Sequence, residues 1–328
     1  MAHFRLETEI SLKCSFNAGE ELEFSYKSSR PVIVRLRQLD RNDEAHFART
    51  GNAICTAATV KDIKPEIKGG LDSCLEGVYI IRSKLKPDTL KIIDEIFCPL
   101  RSISRSTIVM LNWTHGLDSP PNPYGRSLAF YSEDGNRWLQ FARATTGSFN
   151  AELASRLISA RDVRVDEVVR KVELECQEPL GRQLFREAWQ QIEINPRGAL
   201  VIGVAAAEVG LKRLIATLIP GAEWLVQELQ ARSAEKILRD FLPTLPVKAR
   251  WADGSKIKLP SKLISEVAKA FRRRNKVVHV GELPPSRQEL ATMLRAISDL
   301  LWICDVYLGE HWALKHVSSE KNWPSKSS

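Results

Sequence analysis

Apolar and polar residues alternate along the first half of this chain and recur at helical spacing along the second, with the change near residue 150. Residues 4–12 place an apolar side chain at nearly every second position, the pattern of a half-buried strand. Residues 22–26 and 32–37 repeat it, and Ser28-Ser29-Arg30-Pro31 between them has turn chemistry. Further strands are predicted over 77–82, 107–113, 126–131 and 137–143. The last two flank Asp134-Gly135, a dipeptide suited to a hairpin turn. Lys86-Pro87 predicts a short helix through Ile96, and the proline-rich residues 116–125 read as a long connection. The expectation for residues 1–148 is a β-rich, sandwich- or barrel-like domain.

From Ala151 onward, helical periodicity is interrupted only by short Pro/Gly breaks. Residues 151–158 predict the start of a polar connecting helix within a linker over 149–177. Glu178-Pro179 opens a helix with apolar positions Leu180, Leu184, Phe185 and Ala188, and Asn195-Pro196 ends it. The helix over 199–218 is almost wholly apolar through Val209, which predicts a central place in a bundle. Residues 223–241 predict another helical region. A helix starting near Ser261 carries Leu263, Ile264, Val267 and Phe271. A last one over 286–315 carries a stripe from Leu290 to Cys304. The fold class predicted is α+β, with a C-terminal all-α bundle over 178–317 and a tail over 318–328.

Composition narrows the function only a little. The chain has 328 residues, 48 Lys and Arg against 40 Asp and Glu, and six scattered cysteines. A net charge of +8 favours acidic partners. No Cys/His spacing suits zinc, no cofactor is implied, and the thiols read as reduced and buried. No apolar run reaches the ~18 residues of a membrane span, so a cytoplasmic protein without a membrane partner is expected.

One stretch carries candidate chemistry: Phe271-Arg272-Arg273-Arg274-Asn275-Lys276-Val277-Val278-His279-Val280-Gly281. An arginine and an imidazole a few residues apart can hold a phosphate and move a proton. The spacing alone is weak. With 28 Arg and 6 His, chance supplies roughly 0.5 occurrences, and Arg41 to His46 repeats the spacing beside two acids in a polar stretch. The copy at Arg274 instead closes a bundle helix in a locally acid-free sequence.

On those residues, Arg274-Asn275-Lys276-Val277-Val278-His279 resembles the R-N-x-x-x-H form of the motif of HEPN ribonucleases. The apolar helix around Ala205 to Leu214 is similar to the second long helix of that bundle, notably in the ApeA-like branch of anti-phage proteins. The resemblance covers about 178–317. It implies a metal-independent endoribonuclease, an antiviral or toxin effector gated by its N-terminal domain, with RNA as substrate and a homodimer as the assembly. His279 would transfer protons, Arg274 would hold the scissile phosphate, and Asn275 would orient its neighbours. Arg273 and Lys276 would contact RNA, and Arg272 offers an alternative phosphate ligand. The H-x-Tyr extension of some family members is absent, since Val280 and Gly281 follow His279.

A straight helix puts Arg274 and His279 about 140° apart. They converge only through the long arginine, a local distortion, or a second subunit. Glu208, a charge inside an apolar helix, needs a cation; Arg274 is one candidate, and Lys212 or solvent the other. The rival readings are a non-catalytic HEPN-like module that binds RNA or nucleotide, and a dimerisation domain.

Overall fold

The structure is a computed structural model that describes residues 1–10, 12, 14–16, 20–27, 31–38, 53–116, 124–142, 156–158, 162–222, 234–247 and 259–318. The Arg41–His46 stretch, residues 117–123 of the proline-rich connection, residues 223–233 and the tail from 319 lie outside them. Two compact units divide the chain, Met1–Gln177 and Glu178–Ser328.

The first unit is built on an eight-stranded sheet. Its strands are β1 (Ala2–Ile10), β3 (Glu21–Tyr26), β4 (Val32–Gln38), β5 (Ala53–Lys61), β6 (Leu75–Glu76), β7 (Tyr79–Ile81), β8 (Tyr124–Ser132) and β9 (Leu139–Ala142), in the order β3-β4-β5-β1-β8-β9-β7-β6. Alternation along β1 buries Phe4 and Leu6 on one face, and β1 pairs antiparallel with β5 and β8 on its two sides. The Asp-Gly signal lies in the β8–β9 connection, where Asp134 Oδ1 accepts the backbone N–H of Asn136 and of Arg137. A short helix, α1 (Pro65–Asp72), and a separate parallel pair of β2 (Cys14–Phe16) with β10 (Arg156–Ile158) complete the sheet-forming region.

A 29-residue helix, α2 (Pro87–His115), rather than a second sheet, covers one face. Phe97 from α2 meets Phe4 edge-on at 6.0 Å and Phe141 at 5.6 Å. This corrects the strand expected over 107–113 and the short helix expected to end at Ile96. The β-branched residues of that stretch extend a buried stripe of Ile93, Ile96, Phe97, Leu100, Thr107, Ile108 and Leu111 at steps of three, four and seven. Burial of that face outweighs their small helix penalty. The hydroxyls of Ser104, Thr107 and Thr114 donate to the carbonyls four residues back, so none is stranded in the apolar layer.

Residues expected to link the two halves belong to the first unit as far as they are described. Arg156–Ile158 is a strand, not the start of a helix, because its backbone pairs with β2. In α3 (Val165–Glu173), Lys171 is buried with its ammonium 4.2 Å from the Trp113 ring centre. The backbone N–H of Arg164 donates to His115 Nε2, and that of Lys27 to Glu173 Oε1.

The second unit packs α4 (Leu180–Gln190), α5 (Pro196–Leu218), α6 (Ser261–Asn275) and α7 (Arg287–Tyr307). The last predicted helix stops early. Gly309 adopts φ +100°, and a 3-10 turn over His311–His316 follows. Three glycines let the helices approach. A Cβ on Gly203 would sit 2.3 Å from Leu294 Cδ2, one on Gly210 2.4 Å from Leu301 Cδ2, and one on Gly181 2.9 Å from the carbonyl of Ala206. The Gly203–Leu294 and Gly210–Leu301 contacts are seven residues apart on both helices in the same sense, so α5 and α7 run parallel.

Gly181→Ala is expected to cost about 1–3 kcal/mol in denaturant unfolding, since the obstacle is backbone and cannot rotate away. An unchanged midpoint would show that α4 can shift. A second expectation concerns the thiols. Burial pushes both Cys55 and Cys304 up to about 12, whereas Cys98 is exposed, contrary to uniformly buried thiols. In the folded protein at pH 8, iodoacetamide should modify Cys98 and spare Cys55 and Cys304 until denaturant is added; mass spectrometry finding early label on either buried thiol would contradict this.

Candidate functional site

The site begins with α6, whose apolar residues Leu263, Ile264, Val267, Ala268, Ala270 and Phe271 are buried against the bundle. The helix does not end at Asn275. It continues as a π-helical turn over Lys276–Val280, closed by Gly281 at φ +77°, whose N–H donates to the Lys276 carbonyl five residues back. A residue with a side chain rarely adopts that φ, which accounts for glycine there. Val277 is buried, while Val278, His279 and Val280 are exposed.

The turn bears directly on the motif. Five residues make about 1.4 turns of an α-helix but only about 1.1 turns of an i→i+5 helix. Underwinding after Asn275 therefore swings His279 back toward the side that carries Arg274. Of the three routes to convergence, a local distortion is present within the chain itself.

Arg274 is held on two sides. Its Nη1 donates to Asn275 Oδ1 at 2.9 Å and its Nη2 to Glu208 Oε1 at 3.2 Å. Glu208 comes from α5, a quarter exposed, and of its two candidate cations it takes Arg274. Arg274 Nε is buried without a hydrogen-bond partner. A guanidinium carries five N–H groups, so these contacts orient it without exhausting it. The His279 ring makes no hydrogen bond or ion pair among the described residues, and nothing there fixes its tautomer.

The acid-free surroundings expected from the local sequence are not found. Acids distant in sequence or just past the turn meet each remaining base. Arg272 Nη1 donates to Glu235 Oε2 at 2.9 Å, so Arg272 is engaged by an acid from the segment before α6. Arg273 pairs with Glu282 and also donates to the Leu283 carbonyl at 3.2 Å. Lys276 reaches the other oxygen of Glu282 at 3.4 Å. The two residues expected to contact RNA thus share one carboxylate.

A second, buried charge cluster went unnoticed in the sequence. Asp305 of α7 is 1% exposed and accepts from Arg182 of α4 at 3.3 Å and Arg213 of α5 at 3.0 Å. Arg182 lies over the Trp302 ring, 3.1 Å from its centre. Burial draws its guanidinium down to about 10 while Asp305 acts to raise it, so it stays charged at neutral pH. The signal was available: Asp305 interrupts Leu300-Leu301-Trp302-Ile303-Cys304, the same kind of charge in an apolar run that singled out Glu208. Nearby, His311 is exposed, whereas the His316 ring lies 4.5 Å from that of Trp302.

One carboxylate therefore ties three helices behind the site. Asp305→Ala should destabilise the unit by about 3–5 kcal/mol, because it leaves Arg182 buried without its counter-charge; a loss below about 1 kcal/mol by chemical unfolding would mean that water replaces the carboxylate. Comparison with protein-family models, with curated proteins and with solved structures gave no match.

Proposed function

We propose that the C-terminal unit is a HEPN-type endoribonuclease that cleaves RNA without a metal ion. What carries the reading is one arrangement. Arg274 is oriented by Asn275 and by Glu208 from a second helix, and a π-turn brings the exposed His279 toward its side. In the reaction, the 2′-hydroxyl oxygen attacks the adjacent phosphorus and the bond to the 5′-oxygen breaks. His279 takes the hydroxyl proton as a base or, protonated, gives one to the departing oxygen. Arg274 faces the negative charge that builds on the phosphoryl oxygens. The products are a 2′,3′-cyclic phosphate and a 5′-hydroxyl, so DNA, which lacks the attacking group, is not cut.

A homodimer belongs to this reading. Val278 is 47% exposed, Val280 74% and Leu283 80%, all close in sequence to His279. A second bundle seated there would cover these apolar side chains and supply the groups that His279 lacks. The first unit serves as the sensing domain for a phage-derived or other trigger, and the whole acts as a cytoplasmic defence or toxin effector. One observation favours the non-catalytic alternative, an RNA-binding or dimerisation module. Arg272, Arg273, Arg274 and Lys276 are all acid-paired, and His279 has no orienting partner among the described residues.

The deciding experiment is cleavage of labelled RNA in EDTA. His279→Ala is expected to slow it by about 10²–10⁴-fold and Arg274→Ala by about 10²–10³-fold, both retaining RNA binding, with His46→Ala unchanged. Loss of cleavage in EDTA would end the metal-independent mechanism. Undiminished cutting by both variants would remove the motif from the chemistry.

A further inference from the structure

We propose that Glu235 and Glu282 occupy two phosphate subsites beside the motif, and that RNA binds by displacing their carboxylates. The inference rests on the reading of this unit as an RNA-cleaving domain and adds the residues that receive the strand. At each place two cations from different positions in the chain converge on a single carboxylate. Glu235 Oε1 accepts from Arg239 at 2.6 Å, and its Oε2 accepts from Arg272 at 2.9 Å. Glu282 receives Arg273 on one oxygen and Lys276 on the other. Two donors directed at one anion from either side is the arrangement a bridging phosphate needs.

The two subsites are placed along one helix end. Arg272 and Arg273 immediately precede Arg274, and Lys276 follows it by two residues, so a strand whose scissile phosphate met Arg274 would carry its neighbouring phosphates past these cations. Arg239 is brought in from the segment before α6, where Ala234–Lys236 continues as a π-turn over Ile237–Phe241. No feature of the motif itself points to Arg239.

The energetics allow exchange. The side chains of Arg239 and Arg272 are each 62% exposed and that of Lys276 is 59% exposed, while Arg273 is less so at 28%. Exposed pairs of this kind are worth about 0–1 kcal/mol each, and a phosphate contact adds counterion release from the nucleic acid. The buried Asp305 pairs could not be exchanged in this way. In the absence of RNA the carboxylates keep the cations neutralised and oriented, which limits binding to other polyanions.

Glutamine substitutions test this, because an amide keeps an oxygen acceptor and loses the charge. Binding of a fluorescent single-stranded RNA is measured by anisotropy across a salt series, in His279→Ala protein so that the probe is not cut. Adding Glu282→Gln or Glu235→Gln is expected to tighten binding by about three- to ten-fold at low salt. The log–log salt slope should stay close to that of the parent, because the same phosphates are bound in both and only the competing carboxylate is lost. Arg239→Gln added to Glu235→Gln should reverse that gain. Glu193→Gln, which removes a charge paired with Arg287 elsewhere in the unit, should leave the affinity unchanged.

Unaltered affinity in both glutamine variants would overturn the proposal, as would an equal gain from Glu193→Gln. Should Glu282→Gln fail to fold, Glu235→Gln decides alone. Cleavage by the wild-type chain is followed in parallel. Tighter binding by the variants, with no His279-dependent cleavage in the wild type, would retain the subsites and discard the nuclease.

Discussion

Close approach of α5 to α4 and α7 is the constraint on which the second unit depends. Side chains at 181, 203 and 210 would occupy space already held by Leu294, Leu301 and the Ala206 carbonyl. With those positions bare, two leucines of α7 seat against α5 one heptad apart. That contact fixes the rotation of α5 about its axis. Its small residues then face α4 and α7, while Glu208, two residues before Gly210, leaves on another side and meets Arg274. The geometry of the candidate site is thus set by packing on the far side of the helix that supplies its acid.

The unit uses charge in two regimes. Asp305 and Arg182 are taken out of water and compensate one another across helices, so neither can be removed alone without a large penalty. The pairs around α6 lie at the surface, where each bond is worth little and can be traded. The contrast separates residues that hold the bundle together from residues able to meet a ligand. Arg274 stands between the regimes, with a side chain 21% exposed and two fixed partners. That intermediate position suits a group that must be oriented beforehand and still reach an anion.

In the first unit the sheet depends on α2. Its apolar stripe covers the face that β1, β4 and β5 present, and a buried contact between polar groups, Tyr26 OH with Thr107 Oγ1 at 2.6 Å, is satisfied within that layer. Burial pushes the Tyr26 phenol above its usual range, so the bond persists uncharged. The same stripe explains why residues with strand-like chemistry fold as helix there.

Several features follow from the sequence alone, because they depend on neighbours within a few residues. Alternation in β1, β3 and β4, the hairpin at Asp134-Gly135, the amphipathic face of α6 and the change of character near residue 150 are all of this kind. Ala-rich β5 gave no such signal, having little contrast between its two faces, and residues 107–113 gave a misleading one. What only the tertiary structure decided were pairings between distant residues. Glu235 with Arg272, Glu208 with Arg274 rather than with another cation, and Asp305 with arginines of two other helices depend on how helices rotate and approach. The π-turn is intermediate: its closing glycine is visible in the sequence, but its widening is a balance of backbone bonds and burial that no residue pattern announces. Periodicity reports which face of an element is apolar, and the identity of what lies opposite that face is fixed only when the elements pack.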